Sequence, residues 1–231
     1  MKILVFDTET TGLPTERNAS ITEVEKWPYI IQLSYILFDT DKNQIIQTKD
    51  SIVKLPELVY PSERSVELHG ISKEISNKDG QYIKSILIDF NKALNICDYI
   101  IGHNLSFDKR LIMVECKRNK IKQNFTINGV KKLEFCTMKN SVNLCKIESI
   151  SKINGEKYLK YPSQSELHNY LFNCIPSGMH NSMADVIVCL RCYYKLIYDR
   201  DILQICDSIR ILYNNYCGAN QGSLSHPPNG K

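Results

Sequence analysis

Nothing in this 231-residue chain is long and apolar enough to span a bilayer, and the short apolar run near the N-terminus breaks at Asp7 without a cleavable signal pattern. The expectation is a soluble intracellular protein, of cytoplasm or nucleus, with no membrane partner. The spacing of a small disulfide-rich scaffold is missing too: the nine cysteines are odd in number and scattered from Cys97 to Cys217, which suits free thiols. Cys189 and Cys192 form one C-x₂-C pair inside a helical pattern, but no second pair completes a four-ligand set, so zinc is not expected there. Strong overall charge is lacking as well, the net value being +4. That charge is unevenly spread: residues 117–160 hold 11 Lys or Arg against three Glu. Within it Lys117, Arg118, Lys120, Lys122, Lys131 and Lys132 follow one another with no acid between them. That pattern suits contact with a phosphate backbone, and equally a solvated loop and helix face.

What is present is ordinary globular composition, 43% hydrophobic and 23% charged, enough for one core. We expect a single domain over residues 1–217 and a flexible, small and polar tail over 218–231. The run Ile3 to Phe6 has no polar interruption, as in a central strand covered on both faces, and it leads straight into Asp7 and Glu9. Side chains alternate along a strand, so these two acids project to one side while Thr8 points away. Two carboxylates so placed repel unless a cation lies between them, and Mg²⁺ or Mn²⁺ takes carboxylate oxygens. Taken alone, Asp7, Thr8 and Gly12 are equally the turn and cap residues that end a strand.

Further along, Tyr29 to Phe38 and Gln44 to Val53 are rich in β-branched and aromatic residues around a polar turn, and with residues 2–7 they predict three strands in a row. Ser65 to Ile71 reads as a short helix stopped by Gly70, with His69 a surface or turn histidine. Residues 81–95 have helical spacing, and Tyr99 to Gly102 reads as a fourth strand. A helix over 110–117 places Asp108 in its first turn, where the helix dipole alone favours an acid. Residues 132–136 predict a fifth strand after a turn at Asn128-Gly129. The pattern over 138–160 is ambiguous. Ser163 and Glu166 form a possible capping box for a helix to Phe172. An amphipathic helix follows Asp185, where Ser182 and Asp185 read as another capping box, and a last helix spans 202–213.

Singly, each acid has a structural explanation; together they form three blocks. These are Asp7-Thr8-Glu9-Thr10-Thr11-Gly12-Leu13, then Gly102-His103-Asn104-Leu105-Ser106-Phe107-Asp108, and last His180-Asn181-Ser182-Met183-Ala184-Asp185. In order and separation they resemble the signature blocks of the DEDDh 3′–5′ exonucleases, the group that includes the proofreading subunit of bacterial DNA polymerase III. His69-Gly70-Ile71 is similar to a short element of the polymerase-associated members. Ser182 departs from the pattern, since many relatives have a small apolar residue there. The resemblance implies a ribonuclease H-like α/β fold: a five-stranded mixed sheet, three antiparallel strands continued by two parallel ones, with helices on both faces. It implies hydrolysis of phosphodiester bonds from the 3′ end of single-stranded nucleic acid, DNA before RNA, with two divalent cations. Asp7 would bridge both cations, Glu9, Asp108 and Asp185 would complete the ligand set, and His180 would take a proton from the attacking water. Imidazole suits that role because its ordinary ionisation falls near neutrality. By the same resemblance, backbone groups of Thr8 and Thr10 hold the terminal nucleotide, Leu13 wedges against its base, and Asn104 and Phe107 face the strand. For Phe107, base stacking competes with core packing.

Two other readings stand beside this one. The domain could hold nucleic acid or a polymerase through its basic middle and cut little. Alternatively, Asp7 could attack phosphorus directly, as in haloacid dehalogenase-type phosphohydrolases; those place Asp where this chain has Glu9.

Overall fold

A computed structural model describes residues 1–218. β1 (Lys2–Thr10) lies at the centre of the sheet because Ile3 to Phe6 are apolar on both faces and fully buried. β2 (Ile30–Asp39) pairs antiparallel with β1, and β3 (Gln44–Ile52) antiparallel with β2. Helices α1 (Glu63–His69), α2 (Lys73–Asp79) and α3 (Ile83–Ile96) lead to β4 (Tyr99–Gly102), which is parallel to β1. After α4 (Leu105–Arg118) come a small hairpin of β5 (Thr126–Ile127) and β6 (Val130–Lys131), then β7 (Leu133–Cys136), parallel to β4. The resulting order, β3-β2-β1-β4-β7, is the mixed five-stranded sheet that the resemblance implies.

The next stretch contains α5 (Thr137–Asn140), α6 (Val142–Cys145) and a hairpin of β8 (Glu148–Ile150) and β9 (Lys157–Leu159). The chain then forms α7 (Gln164–Phe172), α8 (Ser182–Tyr198) and α9 (Asp207–Cys217). Alternation along β1 divides the core. Leu4 and Phe6 pack with α3 and α4, where Phe6 meets Phe90 edge-on at 5.2 Å between centroids. Ile3 and Val5 pack instead beneath Met183, Val186, Ile187 and Leu190 of α8. Each fully buried Leu, Ile or Phe contributes about 1.5–3 kcal/mol. The same alternation sends Asp7 and Glu9 toward α8 and Thr8 toward α4.

Several expectations shift. β1 runs past both acids to Thr10, because Gln32 and Ile30 of β2 continue the ladder beside them. Helix α4 starts at Leu105, which joins the core, and carries Asp108 in its first turn as expected. The predicted capping box of Ser182 and Asp185 does not form. Asn181 is the N-cap, its side chain accepting from the N–H groups of Met183 and Ala184, which frees Ser182 and Asp185 for other partners. The Ser163–Glu166 capping box is present as predicted. The basic segment is not simply a free phosphate-binding face: Arg118 is drawn inward, paired with Glu115 at 2.6 Å, bonded to the carbonyls of Val24, Trp27 and Pro28, and laid over the Tyr29 ring. Cys189 and Cys192 are buried on α8. The tail expected over 218–231 lies, beyond Gly218, outside the described residues. Among the described residues no helix is long and apolar enough to cross a membrane.

Candidate active site

Three elements converge at the end of the sheet where β1 and β4 both finish. β1 supplies Asp7 and Glu9, α4 supplies Asp108 from one face of the sheet, and α8 supplies Asp185 from the other. One carboxylate oxygen each from Asp7, Glu9 and Asp185 lies within 4.8 Å of the others. Asp108 approaches from the α4 side and is tied there, its Oδ1 accepting 2.7 Å from the Thr8 hydroxyl. The four acids and His180 line one cleft of about 670 Å³.

The electrostatics follow from this crowding. Burial, then the charges of Asp108, Asp185 and Glu9, holds Asp7 well above the ordinary carboxylate range. Glu9 is pushed up to about 9 by burial and by Asp185 and Asp108. Burial pushes Asp108 up to about 7, against the hydrogen bond from Thr8, and pushes Asp185 up to about 7, against the bond from the His180 N–H. Four carboxyls in this position cannot all ionise without a compensating cation. Asp7, Glu9 and Asp185 offer only oxygen and lie close enough to share an ion, which fits a hard divalent cation.

His180 precedes α8 in the left-handed region, φ 68°, and its N–H donates to Asp185 Oδ2 at 3.0 Å. Asn104, the N-cap of α4, is likewise left-handed at φ 62°. Such backbone costs about 1–3 kcal/mol in a residue other than glycine and clusters at functional sites. The remaining predicted residues divide. Thr8, Asn104 and Phe107 line the cleft, and Phe107 also packs against the core. Thr10 and Leu13 lie outside that lining: the Thr10 hydroxyl bonds to the Gly12 carbonyl at 2.7 Å, and Leu13 is 81% exposed.

Other residues brace the site without having been predicted as site residues. His69 is more than a turn residue: its Nδ1 accepts from the Ile71 N–H at 3.1 Å, leaving Nε2–H to donate to the Thr10 carbonyl at 3.2 Å and hold the end of β1. His103 donates through Nε2 to the Pro162 carbonyl at 3.1 Å and accepts at Nδ1 from Thr137 at 3.0 Å; burial lowers it to about 4. It thereby anchors a strap, Lys160 to Ser165, that forms one cleft wall. Membership of the second block pointed to His103, whereas nothing in the ambiguous 138–160 region pointed to Lys160 or Tyr161. Ser182, the one departure from the family pattern, is fully buried and donates to the Asp7 main-chain carbonyl at 2.7 Å. It also works against the upward push on the Asp7 carboxyl. Its N–H donates to Gln32, which donates at 2.8 Å to Asp50. A roomier groove of about 1070 Å³ beside Tyr29, Leu55, Tyr82 and Arg118 has none of the four acids in its lining.

A family model described as Exonuclease (RNase_T) matches residues 4–193. Among solved structures, the chain is similar to E. coli exonuclease I in complex with a dA16 oligonucleotide, with 17% identity, a TM-score of 0.61, and coverage of 93% of this chain and 42% of that one. A second exonuclease I structure, described as suggesting how processivity is achieved, gives 16% identity, a TM-score of 0.64 and the same coverages of 93% and 42%. The zinc-bound form of an E. coli exonuclease I complex with single-stranded DNA gives 16% identity and a TM-score of 0.61, covering 86% of this chain and 41% of that one. The chain therefore spans about two fifths of the exonuclease I structures it matches. At these identities the likeness is one of fold, the ribonuclease H-like exonuclease fold. No curated protein matches by sequence.

Proposed function

Because the chain belongs to the exonuclease family, whose model covers residues 4–193, we propose that it removes nucleotides one at a time from the 3′ end of single-stranded nucleic acid, DNA before RNA. The observation that carries this reading is the convergence of Asp7, Glu9, Asp108 and Asp185 with His180 in one open cleft. DNA is favoured by analogy with the exonuclease I structures, two of which hold single-stranded DNA.

The four carboxylates are the candidate ligands for two Mg²⁺ or Mn²⁺ ions. When bound, such ions supply Lewis-acid stabilisation of charge on the reacting oxygens and a more acidic water. The chain's own residues do the rest. His180, at the rim and fixed through its N–H to Asp185, accepts the proton of the attacking water at an imidazole nitrogen. Thr8 holds Asp108 in place. Phe107 offers a ring face to a base, and stacking tolerates any base. By the resemblance, backbone groups of Thr8 and Thr10 hold the terminal nucleotide and exposed Leu13 wedges against its base; His69 holds the Thr10 carbonyl. Water adds to phosphorus as the P–O3′ bond breaks, giving a nucleoside 5′-monophosphate and a strand with a new 3′-hydroxyl. Asp7→Ala should abolish hydrolysis of an end-labelled oligonucleotide while far-UV dichroism shows an intact fold. Full activity in that variant would contradict the assignment.

A further inference from the structure

The strap that walls the cleft at Lys160, Tyr161 and Pro162 continues backwards, without a break, into the β8–β9 hairpin. That hairpin pairs only with itself, in a two-stranded sheet separate from the main one. Isolated hairpins are marginal in water, and large apolar residues on one are normally covered. Here they are open: Tyr158 is 50%, Tyr161 58% and Ile153 98% exposed. Interleaved with them are Lys146 and Lys152, both exposed and with no ion pair among the described residues, together with Lys157, paired with Glu148, and Lys160, paired with Glu166. Across residues 146–161 four lysines stand against two glutamates.

Open aromatic rings among lysines, leading into a cleft that takes a strand end, match what single-stranded nucleic acid needs: ring faces under splayed bases and positive charge along the phosphates. A duplex presents stacked bases with no free face for tyrosine. We propose that the β8–β9 hairpin, through Tyr158 and Lys152, is a landing surface for the single strand a few nucleotides upstream of its 3′ end. The proposal rests on the exonuclease reading above. It makes the hairpin a determinant of substrate length: a dinucleotide would fill only the acidic cleft, whereas a dodecamer would also reach the hairpin.

The test uses the full chain carrying Asp7→Asn, so that binding is read without cleavage. Fluorescence anisotropy with 5′-labelled dT12 and dT2 compares this protein with the same protein carrying Lys152→Ala and Tyr158→Ala. The expected result is dT12 binding weakened on the order of tenfold with a shallower salt dependence, the ratio of dT12 to dT2 affinity falling by the same factor. Tyr158→Phe in place of Tyr158→Ala should restore the stacking share. Equal dT12 affinity with and without the hairpin side chains overturns the proposal, as does an equal loss on dT2 and dT12. Hydrolysis by the unaltered chain is read separately. Loss of hairpin-dependent binding in a protein that cuts nothing would support the landing surface while ending the exonuclease reading.

Discussion

At the scale of single residues, Ser182 braces the Asp7 backbone and His103 braces the strap that walls the cleft. The Ser182 hydroxyl bonds to the Asp7 carbonyl across the junction of β1 and α8, and Gln32 and Asp50 extend the chain of bonds behind it. Ser182→Ala should lower unfolding stability by about 1 kcal/mol, seen as a shift of the urea midpoint, because one buried bond is lost; an unmoved midpoint would show that the bond contributes nothing. His103 gives a pH signature. Its folded ionisation, lowered to about 4, lies below the ordinary histidine value of 6.5, so below that value the unfolded chain binds the extra proton. Its contribution is complete above pH 6.5 and lost as pH falls toward 4, by up to roughly 3 kcal/mol. The raised carboxyls of the cleft work in the opposite direction over part of this window, so the comparison needs a reference protein that shares them. In His103→Gln, stability should fall less steeply between pH 6.5 and 4 than in the unaltered chain. Parallel curves would mean that His103 is not the group responsible.

At the scale of elements, the start of α8 shows what local pattern can and cannot say. Ser182 and Asp185 have capping-box spacing, yet Asn181 caps the helix, and both candidates turn to partners more than a hundred residues away or to the preceding loop. Capping rules see the nearest few residues, whereas the Asp7 carbonyl lies 175 positions off. Asn181→Ala should destabilise the protein by about 1 kcal/mol in thermal or urea unfolding, and an unchanged protein would return the cap to Ser182. Helix α3 was readable from its period and falls close to its expected bounds, β4 was readable as an unbroken apolar run, and α7 has its expected capping box. The 138–160 region was unreadable because its helices and strands are three or four residues long, too short for any period to repeat.

Across the whole molecule, the sheet order and the meeting of the three blocks were legible only through the family resemblance carried by the three blocks together, since Asp7 alone directly follows an unbroken apolar run. What charge alone could not reveal was the inward use of Arg118, or the separation of the free lysines near β8–β9 from those spent on structure. The fold brings the ends of β1 and β4 and the starts of α4 and α8 to one edge, so the four acids form a site without any one element carrying it. The decisive measurement follows a 5′-labelled single strand with Mg²⁺, with excess chelator, and with a blocked 3′ end. The account predicts stepwise shortening from the 3′ end with Mg²⁺ and no cleavage in the other two. Cleavage that persists in chelator, or label released first as a mononucleotide from the 5′ end, would contradict it.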